Sequence, residues 1–518
     1  MVLIAFVFLI FILVYLRFTS EFMSGSRFKK LLIVFTALFL VTFVTTILLN
    51  RPPKARTRIS VIPFVDDTID QSEAWLSWAI ASQADDALRQ LPVTDYLVYP
   101  VRWVIEAIDF DSLANEAYLY RYANRIDLDY LVLVRADLNC PSCPVAYGLV
   151  RLKDHKALFE GELDLPRGNR VRVGKEIGLN VVKYFQPSLS RTFNDTVYKT
   201  EVLAENAIKA RLSLQARDYQ QAISFAEKAF GIDSSLVPVR NLLAEAYLDF
   251  SIAQGRLGKP EGLPRAIAYK ICERTVVNLG VHDSETHRLI GKYYLLRKMW
   301  GKAEEHFRKA IDLDPDNVFA YCDYSHLHRS RMKRIGFRNQ EEVLRWAIYL
   351  NPCFEKARIL LADYLYFNKW PRRAEKELDM LLYIHPTSID GLLAKGKMAV
   401  AENDIDKIVE IYQRILDLDP NNAEAYYNLG VYYFNLGSID TAEKFFNRAV
   451  RVGNYVDAHL YLGHIYEEKG LRDKAIEEYR LRIRYKRGLD DPYADEARKR
   501  LFNLVKPDTS LLKLHGVK

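Results

Sequence analysis

The chain has 518 residues, of which half are hydrophobic and 12% aromatic, with 73 Lys and Arg against 66 Asp and Glu. It is too long for a single hydrophobic core, so two or three folded units are expected, and its apolar content excludes a mainly disordered protein. The net charge of +7 is small for this length and gives no reason to expect nucleic acid as the main ligand.

Two apolar runs lie within residues 1–50, which we interpret as a membrane anchor. Residues 31–49 are uncharged and would form about 28 Å of helix, which predicts a transmembrane helix. Residues 1–16 are slightly short, and two hypotheses stay open for them: a second span, or a segment ahead of a true start at Met23. The basic residues on either side of residues 31–49 nearly cancel. A short basic tail before a first span nevertheless favours the inner (cytoplasmic) membrane, single-pass with the C-terminal domains in the periplasm, while the cytoplasmic side stays open.

The next segment changes from a linker to alternating strands and helices. Residues 51–58, with a Pro-Pro pair, predict a stiff linker. Residues 59–190 then predict a small α/β domain, because their apolar patterns follow the order β-α-β-α-β-β-β-α. The predicted strands cover residues 59–65, 96–101, 130–138, 145–153 and 157–165, and the predicted helices cover residues 72–91, 112–125 and 171–185.

Four stretches of this domain resemble a known family. They are the strand ending in Ile62-Pro63-Phe64, the helix ending ALRQLP, the strand DYLVYP and the segment DLDYLVLVRADL. Residues 58–185 resemble the amino-terminal domain of the translocation protein TolB, and the related domain that lies between a membrane span and helical repeats in bacterial membrane-bound regulators. The resemblance implies a non-catalytic domain outside the cytoplasm. The sequence departs from the family at Trp78-Ala79, where the relatives often have Asp-Gly.

From about residue 203 the pattern is a helical repeat. Four prolines lie 37, 34 and 34 residues apart, and small residues recur where two antiparallel helices would cross. This pattern resembles the tetratricopeptide repeat, and we count eight repeats in residues 203–488, forming an α-solenoid, followed by a capping helix and tail in residues 489–518. The prolines are Pro315, Pro352, Pro386 and Pro420, and the expected packing residues are Gly291 with Ala303, Ala362 with Ala374, Gly430 with Ala442, and Gly463 with Ala475.

In such an array the first helix of each pair lines a concave groove. The helical register places cations, aromatic residues and few acids in this groove, a mixture that suits an extended peptide or a helix with some negative charge. An ordinary solvated helix face is the alternative for each of them. The candidate groove residues are Arg288, Lys292, His326, Arg329, Asp363, Tyr366, Lys397, Tyr427, Val431 and His464.

Cys140 and Cys143 lie between two predicted strands, where they would form a disulfide if the domain were outside the cytoplasm. Redox catalysis is not expected, because no helix follows the pair, and a zinc site would need two further ligands. No spacing predicts a catalytic group, a metal site, a cofactor or a small-molecule substrate. The favoured function is therefore a non-catalytic scaffold that recruits a protein partner to a cell-envelope or membrane complex. A sensor or signalling subunit, or an accessory subunit of a membrane enzyme, is the alternative.

Overall fold

The computed structural model describes residues 56–64, 74–89, 91, 95–99, 115–135, 144–164, 170–186, 199–256, 259–402, 404–485 and 491–505. The chain divides into two compact units, one of residues 1–57 with 92–96 and one of residues 58–91 with 97–518. Nearly all described residues belong to the second unit, which contains both the sheet and the helical array.

In the described part of the chain, no helix combines the length and apolar character needed to cross a membrane. This finding contradicts the predicted localisation, a single-pass protein of the inner membrane with periplasmic C-terminal domains, and that prediction is wrong. The physical reason is plain in the longest described helix, Val237–Arg256, which carries Arg240, Glu245 and Asp249. The predicted spans at residues 1–16 and 31–49 lie outside the described residues.

A five-stranded sheet confirms the small α/β fold ahead of the repeats. The strand order is β2-β1-β3-β4-β5, with β1 parallel to β3 and with antiparallel pairing of β3 to β4 and of β4 to β5. The parallel pair requires a crossover, which α1, β2 and α2 supply. The elements are β1 (Thr57–Phe64), α1 (Ala74–Leu88), β2 (Tyr96–Tyr99), α2 (Glu116–Arg125), β3 (Tyr130–Arg135), β4 (Val145–Arg151), β5 (Lys156–Leu163) and α3 (Val173–Phe185).

Helices α1 and α3 pack closely because α3 carries two glycines on the facing side. A Cβ atom added at Gly178 would lie 2.5 Å from the carbonyl oxygen of Ala84, and Gly174 faces the backbone of Ile80 in the same way. Predicted disulfide partners Cys140 and Cys143 lie between β3 and β4, outside the described residues. Their pairing stays a prediction.

Eight helix pairs follow in the described residues, and a further helix closes the array. We call the pairs repeats one to eight, and the two helices of a repeat its first and second helix. The pairs are α4 (Glu201–Gln215) with α5 (Tyr219–Ile232), α6 (Val237–Arg256) with α7 (Gly262–Leu279), α8 (Ser284–Leu296) with α9 (Trp300–Leu313), α10 (Val318–Tyr324) with α12 (Gln340–Leu350), α13 (Glu355–Phe367) with α14 (Pro371–Ile384), α15 (Ile389–Glu402) with α16 (Ile405–Leu418), α17 (Ala423–Asn435) with α18 (Ile439–Gly453), and α19 (Ala458–Glu468) with α20 (Arg472–Arg484); the short α11 (Arg329–Met332) lies inside repeat four, and α21 (Pro492–Val505) is the last.

The small residues expected at the helix crossings are all buried. Each of the three glycines among them faces an aromatic ring of the second helix. A Cβ atom at Gly291 would lie 2.5 Å from Phe307, and one at Gly430 would lie 2.7 Å from Phe446. The alanines of these sets are Ala303, Ala362, Ala374, Ala442 and Ala475, and the remaining glycine is Gly463, which faces Tyr479.

Repeat four differs from the expected register. Its first helix, α10, has seven residues and ends at Tyr324, whose hydroxyl donates to the carbonyl oxygen of Arg331 at 2.8 Å. Beyond this end the Ser325 hydroxyl donates back to the carbonyl oxygen of Cys322 at 2.7 Å. His326 and Arg329, which the register placed on a first helix, therefore follow it instead.

The sheet domain lies against the end of α14, the second helix of repeat five. The Tyr122 ring of α2 lies 6.3 Å from the His385 ring, and the Arg125 guanidinium lies 5.1 Å from the centre of the Tyr383 ring. The array also touches itself, because Arg217 in repeat one forms a 2.5 Å ion pair with Asp390 in repeat six.

Candidate functional site

Side chains of successive first helices contact one another, and we call the surface that these helices present the first-helix face. Glu245 of α6 pairs with Arg288 of α8, and Arg288 pairs in turn with Asp323 of α10. Tyr427 of α17 meets Tyr461 of α19 with ring centres 5.9 Å apart. The candidate groove residues lie on or beside this face.

Side chains of opposite charge alternate along the first-helix face of repeats one to five, and we call this row the ion-pair ladder. Arg211 lies 3.9 Å from Glu245, which lies 3.1 Å from Arg288. Arg288 lies 2.9 Å from Asp323, and Asp323 lies 2.8 Å from Lys356. The ladder thus joins the first helices of repeats one to five by electrostatic contacts with the repeat period.

Arg288 is the most buried member of the ladder. Its guanidinium also binds Glu285 on the same helix at 2.5 Å and lies 5.2 Å from the centre of the Phe319 ring. Burial acts to lower the pKa of Arg288, but the carboxylates of Glu285, Asp323 and Glu245 outweigh it, so the pKa lies well above its ordinary value. Arg288 therefore keeps its charge.

Neighbouring groups of opposite charge also shift the pKa values of Asp323 and Lys292. Burial alone would raise the pKa of Asp323, but Lys356 and Arg288 hold it well below its usual range. Lys292 pairs with Asp249 at 2.6 Å, and this carboxylate raises the pKa of Lys292 against the effect of burial. The candidate groove cations Arg288 and Lys292 are thus compensated within the chain, and offering them to a ligand would break buried ion pairs.

Apart from Arg288, no member of the ladder was predicted from the sequence. Their signal was present, because residues of alternating sign recur at intervals close to the repeat length, at spacings of 43, 35 and 33 residues. The pairing itself depends on how successive repeats stack. The residues not predicted are the ladder members Arg211, Glu245, Asp323 and Lys356, and the neighbouring acids Asp249 and Glu285.

Beyond Lys356 the first-helix face changes character. Asp363 on α13 is exposed to solvent, yet surrounding protein desolvates its carboxylate and raises its pKa, while Lys397 acts in the opposite direction. His326 is likewise exposed, and desolvation lowers its pKa. Water reaches both side chains, and neighbouring protein also removes part of their hydration. We call this surface the recess; Tyr366, one turn from Asp363, is half-buried beside it.

Lys397 continues this surface on α15. Its side chain is 61% exposed, and its amino group lies 2.7 Å from Glu424 at the start of α17. An exposed pair of this kind contributes little to stability and can be exchanged for a ligand's charge. Among the candidate groove residues of repeats five to eight, Lys397 is thus an accessible cation and Asp363 an accessible acid, on neighbouring repeats.

Aromatic side chains fill the last two repeats. Tyr427 is buried and stacks on Tyr455 with ring centres 4.4 Å apart, so it serves packing between repeats. Val431 packs against the same cluster and is half-buried. His464 lies 6.5 Å from the Phe434 ring centre, and burial, with Arg500, lowers its pKa. Val431 and His464 are both half-buried at the edge of the first-helix face.

The described residues hold no group of three or more His, Cys, Asp or Glu side chains arranged to bind a metal ion. Three cysteines, Cys272, Cys322 and Cys353, are buried, and they form no disulfide with one another. Burial raises the thiol pKa of Cys272 and of Cys322 to about 12, so both are protonated and unreactive at neutral pH.

Family models described as tetratricopeptide repeat match residues 284–317 and 411–444. The first match covers repeat three, and the second runs from α16 into α18. Neither match reaches residues 58–185, so the resemblance to the TolB domain stays a prediction. The prediction of tetratricopeptide repeats is confirmed.

The chain is similar to two curated proteins over part of its length. It is 27% identical over 158 residues to "Protein O-mannosyl-transferase Tmtc3" of Drosophila melanogaster, covering 30% of this chain and 17% of the relative. It is 22% identical over 283 residues to "Mitochondrial import receptor subunit TOM70" of Homo sapiens, covering 52% and 44%. The chain thus spans less than half the length of each of these relatives.

Among solved structures, the crystal structure of the APC/C hetero-tetramer Cut9-Hcn1 is similar, with a TM-score of 0.42, 14% identity, and coverage of 86% of this chain and 71% of that one. The helix pairs, their packing residues and the two family-model matches agree on the nature of the array. The chain carries tetratricopeptide repeats, preceded by a small α/β sheet.

Proposed function

We propose that this chain is a non-catalytic interaction scaffold that binds an extended peptide or a helix of a protein partner along the first-helix face of repeats five to eight. In this proposal residues 59–190 form an α/β domain, residues 203–488 form the repeat array, and residues 489–518 hold the capping helix and tail. The binding residues are Asp363, Tyr366, Lys397, Val431 and His464.

The recess around Asp363 is the observation that carries this proposal. Its carboxylate is accessible yet desolvated, as expected for a group in a concave surface that a ligand enters. Lys397 presents a cation one repeat further on. An extended peptide or a helix can contact both repeats at once, because such segments run across several helices.

The ion-pair ladder supports the choice of repeats five to eight as the binding surface. In repeats two to four Arg288 is engaged by the buried Asp323 and the half-buried Glu245, and Lys292 by the half-buried Asp249, so a ligand would gain little from these cations. Tyr427 is enclosed between repeats and is assigned to packing. Similarity to a protein named as an import receptor subunit supports a role in binding, and the similarity to a protein named as a transferase covers only 17% of that protein.

Site-specific photo-crosslinking tests the proposal. A photoreactive residue is placed at position 366, at position 464, and, as a control, at position 376, where Lys376 is exposed on a second helix. We expect positions 366 and 464 to yield the same crosslinked protein, and position 376 to yield none. Crosslinks from position 376 alone, or none from any position, would overturn the proposal.

Charge reversal then measures the contribution of single residues. With the crosslinked partner purified, Lys397→Glu and Asp363→Lys are each expected to weaken binding by about tenfold, because each reverses a charge within the site. Lys376→Glu is the matched control and should bind as the parent does. Equal affinities for all three variants would show that the first-helix face is not the surface used.

A further inference from the structure

A basic segment interrupts repeat four, and we call residues 329–338 the basic excursion. The interval from Pro315 to Pro352 is 37 residues, three more than the regular period. The excursion contains α11 and a short 3-10 helix, Lys333–Ile335, and ends its turn at Gly336 with φ +87°. Its position, directly after the shortened first helix, places it beside His326 at the edge of the first-helix face.

Apolar contacts fix the excursion in place. Met332 is wholly buried, and Leu327 just before the excursion is 5% exposed. The Phe337 ring lies 6.1 Å from the Tyr321 ring and 6.4 Å from the Trp346 ring. The segment is therefore held by its buried side chains, and a ligand that binds it meets a surface with little conformational freedom to lose.

The charges of the excursion are only partly compensated. Arg331 and Arg334 bind the same carboxylate, that of the buried Glu304, with Arg334 Nη1 at 2.7 Å from Oε1. Arg338 pairs with Glu342 at 2.7 Å, but its side chain is 86% exposed. The five cations of the excursion thus face two carboxylates, which leaves an excess of three positive charges.

Two of these cations have no partner in the described part of the chain. Arg329 and Lys333 are exposed, and neither forms an ion pair with another residue that the structure describes. They lie one helical turn apart, where like charges destabilise a helix. Because burial of Met332 and the pairing of Arg331 and Arg334 already hold the segment, the two free cations have no part in its folding.

We propose that the basic excursion is a docking site for an acidic, extended segment of a partner protein, whose carboxylates pair with Arg329 and Lys333. Charge complementarity selects this occupant, since the site offers an excess of cations on a fixed backbone. Side chains one helical turn apart are separated by about 6 Å, which matches alternate residues of an extended peptide, about 6.6 Å apart. The partner segment therefore carries Glu or Asp at every second residue.

This site is separate from the lower first-helix face. The proposed function depends on Asp363 and Lys397 in repeats five and six, whereas the excursion depends on Arg329 and Lys333 in repeat four. Variants of one site leave the other intact. Failure of one proposal is therefore distinguishable from failure of the other.

Fluorescence anisotropy of a labelled peptide of alternating glutamate and serine, titrated with the full chain, tests the proposal. We expect binding that weakens as sodium chloride is raised, and that weakens by about tenfold in the double variant Arg329→Glu with Lys333→Glu. The matched control is Lys444→Glu with Arg448→Glu, two exposed cations one turn apart on α18, and it should bind as the parent does.

Three results would overturn the proposal: no binding by the parent chain, equal binding by the Arg329/Lys333 double variant, or tighter binding of a single-stranded oligonucleotide of equal charge. The last would assign the surface to nucleic acid. Thermal melting shows whether the reversed charges unfold repeat four. If they do, the milder pair Arg329→Gln with Lys333→Gln is used, which removes charge without reversal and is expected to give a smaller loss of affinity.

Discussion

Arg288 Nη1 lies 2.9 Å from Asp323 Oδ2, and their side chains are only 2% and 3% exposed. This ion pair joins the first helices of repeats three and four, within a ladder that extends from Arg211 to Lys356. In an array whose repeats touch only their neighbours, stability depends on such interfaces. The ladder therefore acts as a structural seam between the first helices of repeats one to five.

Replacing Arg288 by Met tests the seam. We expect the free energy of unfolding to fall by about 3–5 kcal/mol, because removal of the cation leaves the buried Asp323 and the half-buried Glu285 and Glu245 without it. Urea unfolding at neutral pH measures the change. Lys309→Met removes an exposed pair with Glu305 and is expected to change stability by less than about 1 kcal/mol. A similar effect of both variants would contradict the structural role of the ladder.

Gly291→Ala tests the close approach of the two helices in repeat three. The added methyl group would lie 2.5 Å from the wholly buried Phe307 ring, so the helices must separate, at a cost of about 1–3 kcal/mol. A Cβ atom added at Gly301, on the second helix of the same repeat, would lie in open space, with no atom of the described residues within 4 Å apart from its chain neighbours and its own helix backbone. Gly301→Ala should leave stability unchanged or raise it by up to about 1 kcal/mol. Melting temperatures that shift equally would show that the packing register is wrong.

His287 gives the fold a dependence on acid. It forms a chain of hydrogen bonds with His282, at 3.2 Å, and His306, at 3.0 Å, and its surroundings also include Lys309 and Asp283. Burial, then His306, His282 and Lys309, lower the pKa of His287 to about 4, against a weaker opposing effect of Asp283. The native state thus binds fewer protons than the unfolded state between pH 6.5 and 4, and stability falls as the pH falls through this range.

We expect this histidine to account for about 3 kcal/mol of stability lost between pH 7 and pH 4. In His287→Gln, which carries no titratable group, that part of the loss should disappear. Urea unfolding of the parent and the variant at both pH values measures the difference. Parallel pH profiles for the two proteins would mean that His287 does not titrate differently in the folded state.

Glu355 gives the stability of the fold the opposite dependence on pH. Burial raises its pKa to about 7, with Asp390 acting in the same direction, although the Ser388 hydroxyl donates to its carboxylate at 3.0 Å and Arg217 also opposes the shift. The folded state binds more protons than the unfolded state between pH 4.5 and 7, so stability falls as the pH rises through this range. Glu355→Gln is expected to raise the free energy of unfolding at pH 8 by about 2 kcal/mol and to change little at pH 4. A loss of stability at pH 8 would contradict this assignment.

The sequence by itself determined the repeats and the sheet. The period of 34 residues recurs along the chain. A small residue that meets an aromatic ring, as Gly430 meets Phe446, lies in the same helix pair as that ring. Both features can therefore be read from the sequence. The strands of the α/β fold were likewise visible in local apolar patterns, although their pairing order required the structure. The localisation in the inner membrane was wrong, because no helix in the described part of the chain is long and apolar enough to cross a membrane.

Only the tertiary structure decided which candidate groove residues stay accessible. Arg288 is enclosed because its partners come from three first helices, and His326 follows a helix that ends early at Tyr324. Arg217 meets Asp390 across 173 residues. Such contacts depend on how successive repeats are rotated and stacked, and this geometry sums small angles over many helix pairs. No local pattern in the sequence encodes that sum, so the charges could be read from the sequence and their partners could not.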